Sequence, residues 1–180
     1  MWDPPTDHPL RRLFAGLTEH AFLTRFGVAD PPLVDYLSAL LSRFVHADTI
    51  YRLRGSSGRT LTELAAMLAE ADGLPDGGRT RWEYYRHVGD VALFWSGLFP
   101  EALERDRQTW GDHPVLNYTA CGKRSYLIAS RFEGEPYQNE APVLRRLSEQ
   151  FELCATGLRE VRRDWEHLAE ETPPGTGLIR

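Results

Sequence analysis

The sequence predicts an all-α fold: one helical bundle of five to six main helices ending in a long heptad-patterned helix. Three observations carry this. Apolar residues recur at helical spacing in successive segments separated by Gly- and Pro-rich breakers. No segment of useful length alternates with period two, as a half-buried strand would. Leu144, Leu147, Phe151, Cys154, Leu158, Val161, Trp165 and Leu168 form a 3-4 heptad run, the strongest periodic signal in the chain.

The elements follow in order. Asp7 and Pro9 open a helix over residues 9–26, with Leu10, Leu13, Phe14, Leu17 and Ala21 on one face and Gly27 as its stop. Asp30-Pro31-Pro32 starts the second, since an N-cap followed by Pro in the first turn leaves no N–H wasted. Leu33, Leu37, Leu40, Leu41 and Phe44 are its apolar face, and it either stops near Val45 or runs on towards Arg54. Gly55-Ser56-Ser57-Gly58 reads as a loop, and Thr60 with Glu63 as a capping box for the third helix, with Leu61, Leu64, Ala65 and Leu68 inward. The fourth helix spans residues 80–99; Tyr84, Val88, Val91, Trp95 and Leu98 mark its seam, and Tyr85, Ala92 and Phe99 widen it into a deeply buried element. Pro100 ends it or begins a short extra helix. Asp112-His113-Pro114 opens a fifth, to residue 132, whose inner face reads Val115, Thr119, Gly122, Tyr126 and Ala129 with Ser125 beside it, mostly small residues. Small residues cost helix propensity, and close approach of a neighbour is the usual compensation, so Gly122 reads as a packing notch. The sixth spans residues 140–168.

The 180 residues are 42% hydrophobic and 26% charged, ordinary for a globular chain long enough to bury a core without staples. The expectation is a single helical domain over residues 1–180, with residues 1–8 and 170–180 as flexible termini. The net charge of -5 and a pI near 5.7 argue against a general nucleic-acid binder. Among 21 basic residues only Lys123 is lysine. Cys121 and Cys154, with no CxxC, read as reduced buried thiols and exclude a cysteine-rich zinc site. With no signal-peptide pattern and no run of ~20 apolar residues, the expected location is cytoplasmic.

Three groups could carry chemistry. Glu83, His87 and Asp90 stand at i, i+4 and i+7, one stripe at the edge of the fourth helix's apolar face. Carboxylate, imidazole and carboxylate could hold a metal or orient a general base; the plainer alternative is a half-buried histidine keeping helices in register. The Glu-x-x-His of carboxylate di-iron bundles and His-Glu-x-x-His are both absent. Asp48 falls on the apolar face if the second helix continues, and caps a turn if it stops; with Tyr85 and Tyr126 it completes the candidate pocket. Arg52, Arg54 and Arg59 flank the Gly-Ser loop, a possible anion site that lacks the P-loop's ending.

Two functions remain from this reading. The first is a protein-interaction or self-association module, with a homodimer possible, supported by the heptad helix, an 11% aromatic content and no catalytic signature. The second is an internal polar pocket at Glu83, His87 and Asp90 binding a metal, haem or small anion, with enzymatic activity possible. Nothing identifies a cofactor, and nucleic acid is disfavoured.

Overall fold

The computed structural model describes residues 5, 7–46, 57–76, 78–110, 117–132, 134 and 137–171. Among them are eight α-helices and one 3-10 turn, with no strand: α1 (Pro9–Phe26), α2 (Pro31–His46), α3 (Ser57–Gly73), α4 (Arg79–Leu98), α5 (Pro100–Trp110), α6 (Tyr118–Ala129), the 3-10 turn Tyr137–Asn139, α7 (Ala141–Glu149) and α8 (Phe151–Glu171). The fold is all-α, but with more helices than the five or six expected.

Local signals placed several ends correctly. Gly27 sits at φ 65° and its N–H reaches the Leu23 carbonyl at 3.1 Å, closing α1 in the left-handed conformation glycine tolerates. Asp30 Oδ1 accepts from the Leu33 N–H at 3.2 Å and caps α2. The cap of α1 is His8, through a hydrogen bond from the Leu10 N–H, not Asp7. Pro100 does open a further helix, after Phe99 leaves helical geometry at φ -133° and ψ 48°.

Others need correction. α3 begins at Ser57, so Thr60 lies inside its first turn and is not its cap. Ser57-Gly58-Arg59 contains nothing that forbids helix; glycine there costs only about 1 kcal/mol in propensity. α6 is capped by Asn117, whose Oδ1 accepts from the Ala120 N–H at 3.0 Å, and it ends at Ala129 rather than 132. The expected start at Asp112-His113-Pro114 lies outside the described residues.

The largest correction concerns the C-terminal helix, which is two. Gln150, at φ -113° and ψ 29°, ends α7, and α8 starts at Phe151. The heptad residues from Leu144 to Val161 are nonetheless buried on both sides of the break. The cause is tertiary. α7 packs against α6 and α2, whereas α8 touches α6 only at its start and packs mainly against α4 and α1. One straight rod could not serve both pairs.

α4 is the centre of the fold. Every residue from Val88 to Leu98 is buried, and α2, α3, α5, α6 and α8 all pack on it. Glycines make the close approaches. A Cβ on Gly89 would stand 2.7 Å from the Tyr126 ring, and one on Gly97 2.7 Å from the Leu158 Cβ. Gly122 faces the Phe151 ring and Gly157 the Phe22 ring with no room for a methyl group. Gly122 is therefore the notch expected of it. Cys154 is buried and Cys121 half-buried, both as free thiols. Among the described residues no helix is long and apolar enough to cross a membrane.

These contacts predict opposite outcomes for the same substitution. Gly122→Ala should destabilise by about 1–3 kcal/mol, because overpacking outweighs the gain in helix propensity. Gly16→Ala, in α1 with nothing within 4 Å of the added methyl, should stabilise by up to about 1 kcal/mol. Urea unfolding of the two variants checks both signs.

Candidate functional site

The fourth helix's polar stripe does not converge on one point. Glu83 lies on the exposed side and pairs with Arg79 at 2.8 Å. Seven residues of helix separate it from Asp90, roughly 10 Å along the axis at ~1.5 Å per residue. Asp90 is 2% exposed and belongs to the core.

A buried carboxylate must be paired or lose its charge. Asp90 finds its partners on two other helices. Oδ1 accepts from the Tyr36 hydroxyl of α2 at 2.7 Å and from the Tyr126 hydroxyl of α6 at 2.9 Å. Oδ2 accepts from the guanidinium of Arg43, also on α2 and 5% exposed, at 3.0 Å. Arg86 borders this centre: its Nε donates to the Tyr36 hydroxyl at 3.2 Å and pairs with Glu140 at 3.0 Å. Its guanidinium also lies over the Tyr36 and Trp82 rings. Burial opposes that charge, but Tyr36, Asp90 and Glu140 hold the Arg86 pKa above its ordinary value.

Burial, then the nearby Asp90 charge, pushes both tyrosine hydroxyls well above the usual phenol range. They therefore stay protonated at neutral pH and remain donors to Asp90. Gly89, one residue before the carboxylate, lets the Tyr126 ring lie against α4 closely enough for its hydroxyl to reach.

His87 is the half-buried neighbour. Its ring stacks on Phe44 at 6.2 Å, and Phe44 stacks on Phe94 at 4.6 Å. Its Nδ1 is buried with no hydrogen-bond partner among the described residues. Burial lowers its pKa; Asp90 works against this, and the charges of Arg43 and Arg86 reinforce it. The ring is neutral at pH 7.

The remaining candidates are dispersed. Tyr85 donates to Asp72 of α3, which also pairs with Arg124 at 3.1 Å, and the Arg81 guanidinium lies over the Tyr85 ring. This is a separate cluster from the one at Asp90. Asp48, Arg52 and Arg54 lie outside the described residues, and Arg59 falls in the first turns of α3. The structure thus joins Asp90 to Tyr126 beside His87, and sets Glu83 and Tyr85 apart. Among the described residues no group of three potential ligands could hold a metal ion.

Tyr36 and Arg43 were the members not foreseen. Their signal was present: spaced i, i+7, they interrupt the leucine-rich face of α2 on one stripe. No known protein family, curated protein or solved structure matches this chain.

Asp90→Ala leaves Arg43 buried without its carboxylate and should cost about 3–5 kcal/mol. Asp90→Asn, which keeps an acceptor, should cost less; chemical denaturation of both reads the difference. The lowered His87 pKa means that the unfolded chain takes up this proton first. The stability His87 contributes is therefore complete above about 6.5, the ordinary histidine value, and declines as pH falls below it. Replacing it in His87→Phe should flatten stability between pH 7 and pH 5, measured by urea midpoints; an unchanged slope would place the pH dependence elsewhere.

Proposed function

We infer that this chain acts as a single helical domain whose task is to bind a protein partner or a second copy of itself. One observation carries this reading. A cleft of about 240 Å³ lies between α1 and the start of α2, lined by Ala15, Leu23, Val28, Ala29, Pro31 and Val34 among others. Leu23 is 50% exposed at its edge. Open apolar surface of this kind marks interaction sites. Sites for drug-sized ligands occupy roughly 300–1,000 Å³, so the cleft suits an anchoring side chain better than a free small molecule. The free thiols at Cys121 and Cys154 accord with a reducing, cytoplasmic setting.

A second reading has one observation in its favour. Among the described residues His87 Nδ1 is buried without a hydrogen-bond partner beside Arg43, Arg86 and Asp90, as it would be if a small ligand or metal supplied the missing contact.

Native mass spectrometry of the full chain, with metal analysis on the same sample, separates the two. The first reading expects no bound small molecule or metal, and a dimer or co-purifying protein that Leu23→Asp abolishes. Extra mass or stoichiometric metal that survives Leu23→Asp and disappears in His87→Ala would overturn it in favour of the second.

A further inference from the structure

We propose that the α1–α2 cleft takes an apolar side chain from a partner segment that carries arginine or lysine beside it. This rests on the reading of the cleft as a docking surface and adds the chemistry of what docks.

The argument is charge complementarity around an apolar floor. Among the described residues the lining contains three carboxylates, Glu19, Asp30 and Asp35, and no basic residue. They are not equivalent. Asp30 is already engaged: Oδ1 caps α2 through the Leu33 N–H, and Oδ2 pairs with Arg146. Asp35 Oδ1 accepts from the Arg11 guanidinium at 2.8 Å, yet the Asp35 side chain remains 69% exposed while that of Arg11 is buried. The guanidinium thus supports Asp35 from the protein side and leaves the carboxylate facing solvent. Glu19 is exposed and stands between Ala15 and Leu23 at i+4 and i-4, on the α1 stripe that forms one wall.

Each side therefore offers one solvent-facing carboxylate, Glu19 from α1 and Asp35 from α2, across a floor of half-buried Val28 and Val34. An apolar anchor fills the floor, and a cation next to it reaches either rim. Such rim charges set partner choice and association rate more than affinity, and an acidic segment would meet like charge on both sides. The overall charge of -5 acts in the same direction.

The test is selection from a random-peptide display library on the full chain, followed by binding of the enriched peptides, synthesised with a fluorescent label, at low and high salt. The expected peptides have Leu, Ile, Met or Phe with Arg or Lys within two positions, and bind more weakly as salt rises. Leu23→Asp should weaken them about tenfold or more, and Glu19→Lys about two- to fivefold. Both positions are exposed, and circular dichroism of the variants confirms that the fold is intact. Peptides that depend on Leu23 but are neutral or acidic would overturn the basic-segment proposal and leave the docking surface standing. Peptides indifferent to Leu23→Asp would overturn both. So would failure to enrich any peptide, unless sedimentation shows a dimer lost in Leu23→Asp; a second copy would then be the occupant, and the basic-segment proposal would still fall.

Discussion

A single carboxylate, Asp90, fixes how three helices meet. Removed from water, its oxygens need donors, and α4 itself supplies none of the three found among the described residues. Tyr36 and Arg43 come from α2 and Tyr126 from α6. Each hydrogen bond holds only at one register, so the set specifies the axial position of both neighbours against α4. The stability such a group adds over an apolar replacement is small or negative; its directed bonds bear on register instead. Leucines packed on leucines tolerate sliding, whereas a displaced Asp90 leaves a buried charge unpaired.

That demand spreads outward. For the Tyr126 hydroxyl to reach Asp90, its ring must lie on the α4 backbone, and only glycine at position 89 leaves the space. Tyr126 in turn stacks near Phe151, whose ring occupies the notch at Gly122. Phe151 is the first residue of α8, directly after the break at Gln150. At the other end of α4, Arg159 and Arg162 of α8 donate to the Ser96 and Leu98 carbonyls, which the terminating helix leaves open, and Arg162 pairs with Glu101 at 2.6 Å. Arg25 of α1 then binds Glu160 and Asp164 of α8, and Phe14 meets Trp165 edge-on at 5.4 Å. Arginine suits these positions because its planar fork serves two acceptors at once.

What the sequence made legible divides along local and non-local causes. The stop at Gly27, the cap at Asp30 and the restart at Pro100 depend on a few neighbouring atoms, and could be read from the residues themselves. So could the notch at Gly122, since a glycine on the inner face of a helix needs a packing reason. The division at Gln150 could not. The heptad period continues across it, no Gly or Pro marks it, and it falls where the main packing partners change from α6 and α2 to α4 and α1. The candidate site shows the same division. Asp90 and Tyr126 stood out as polar groups near apolar faces, but pairing them required knowing that α6 lies against α4 at Gly89. Glu83 shared a stripe with Asp90 on the helical wheel, which records angle and ignores the rise along the axis. Arg43 escaped notice because one arginine in a chain with many reads as surface charge.

The core and the cleft are coupled through two consecutive residues of α2. Tyr36 turns inward to Asp90, and Asp35 turns outward to the cleft, where Arg11 ties it back to α1. Whatever fixes Tyr36 therefore fixes Asp35, and with it the wall of the cleft that α2 provides. The opposite wall is held by the seating of α1 on α8, through the Phe22 ring at Gly157 and the Arg25 ion pairs. Both walls are thus positioned by interactions that lie behind them and do not involve an occupant. A surface set in this way loses little conformational freedom when a segment docks, so more of the contact energy appears as affinity. Under the docking function proposed for the cleft, the polar centre at Asp90 would act without touching the partner, by keeping the cleft's shape fixed before anything binds there.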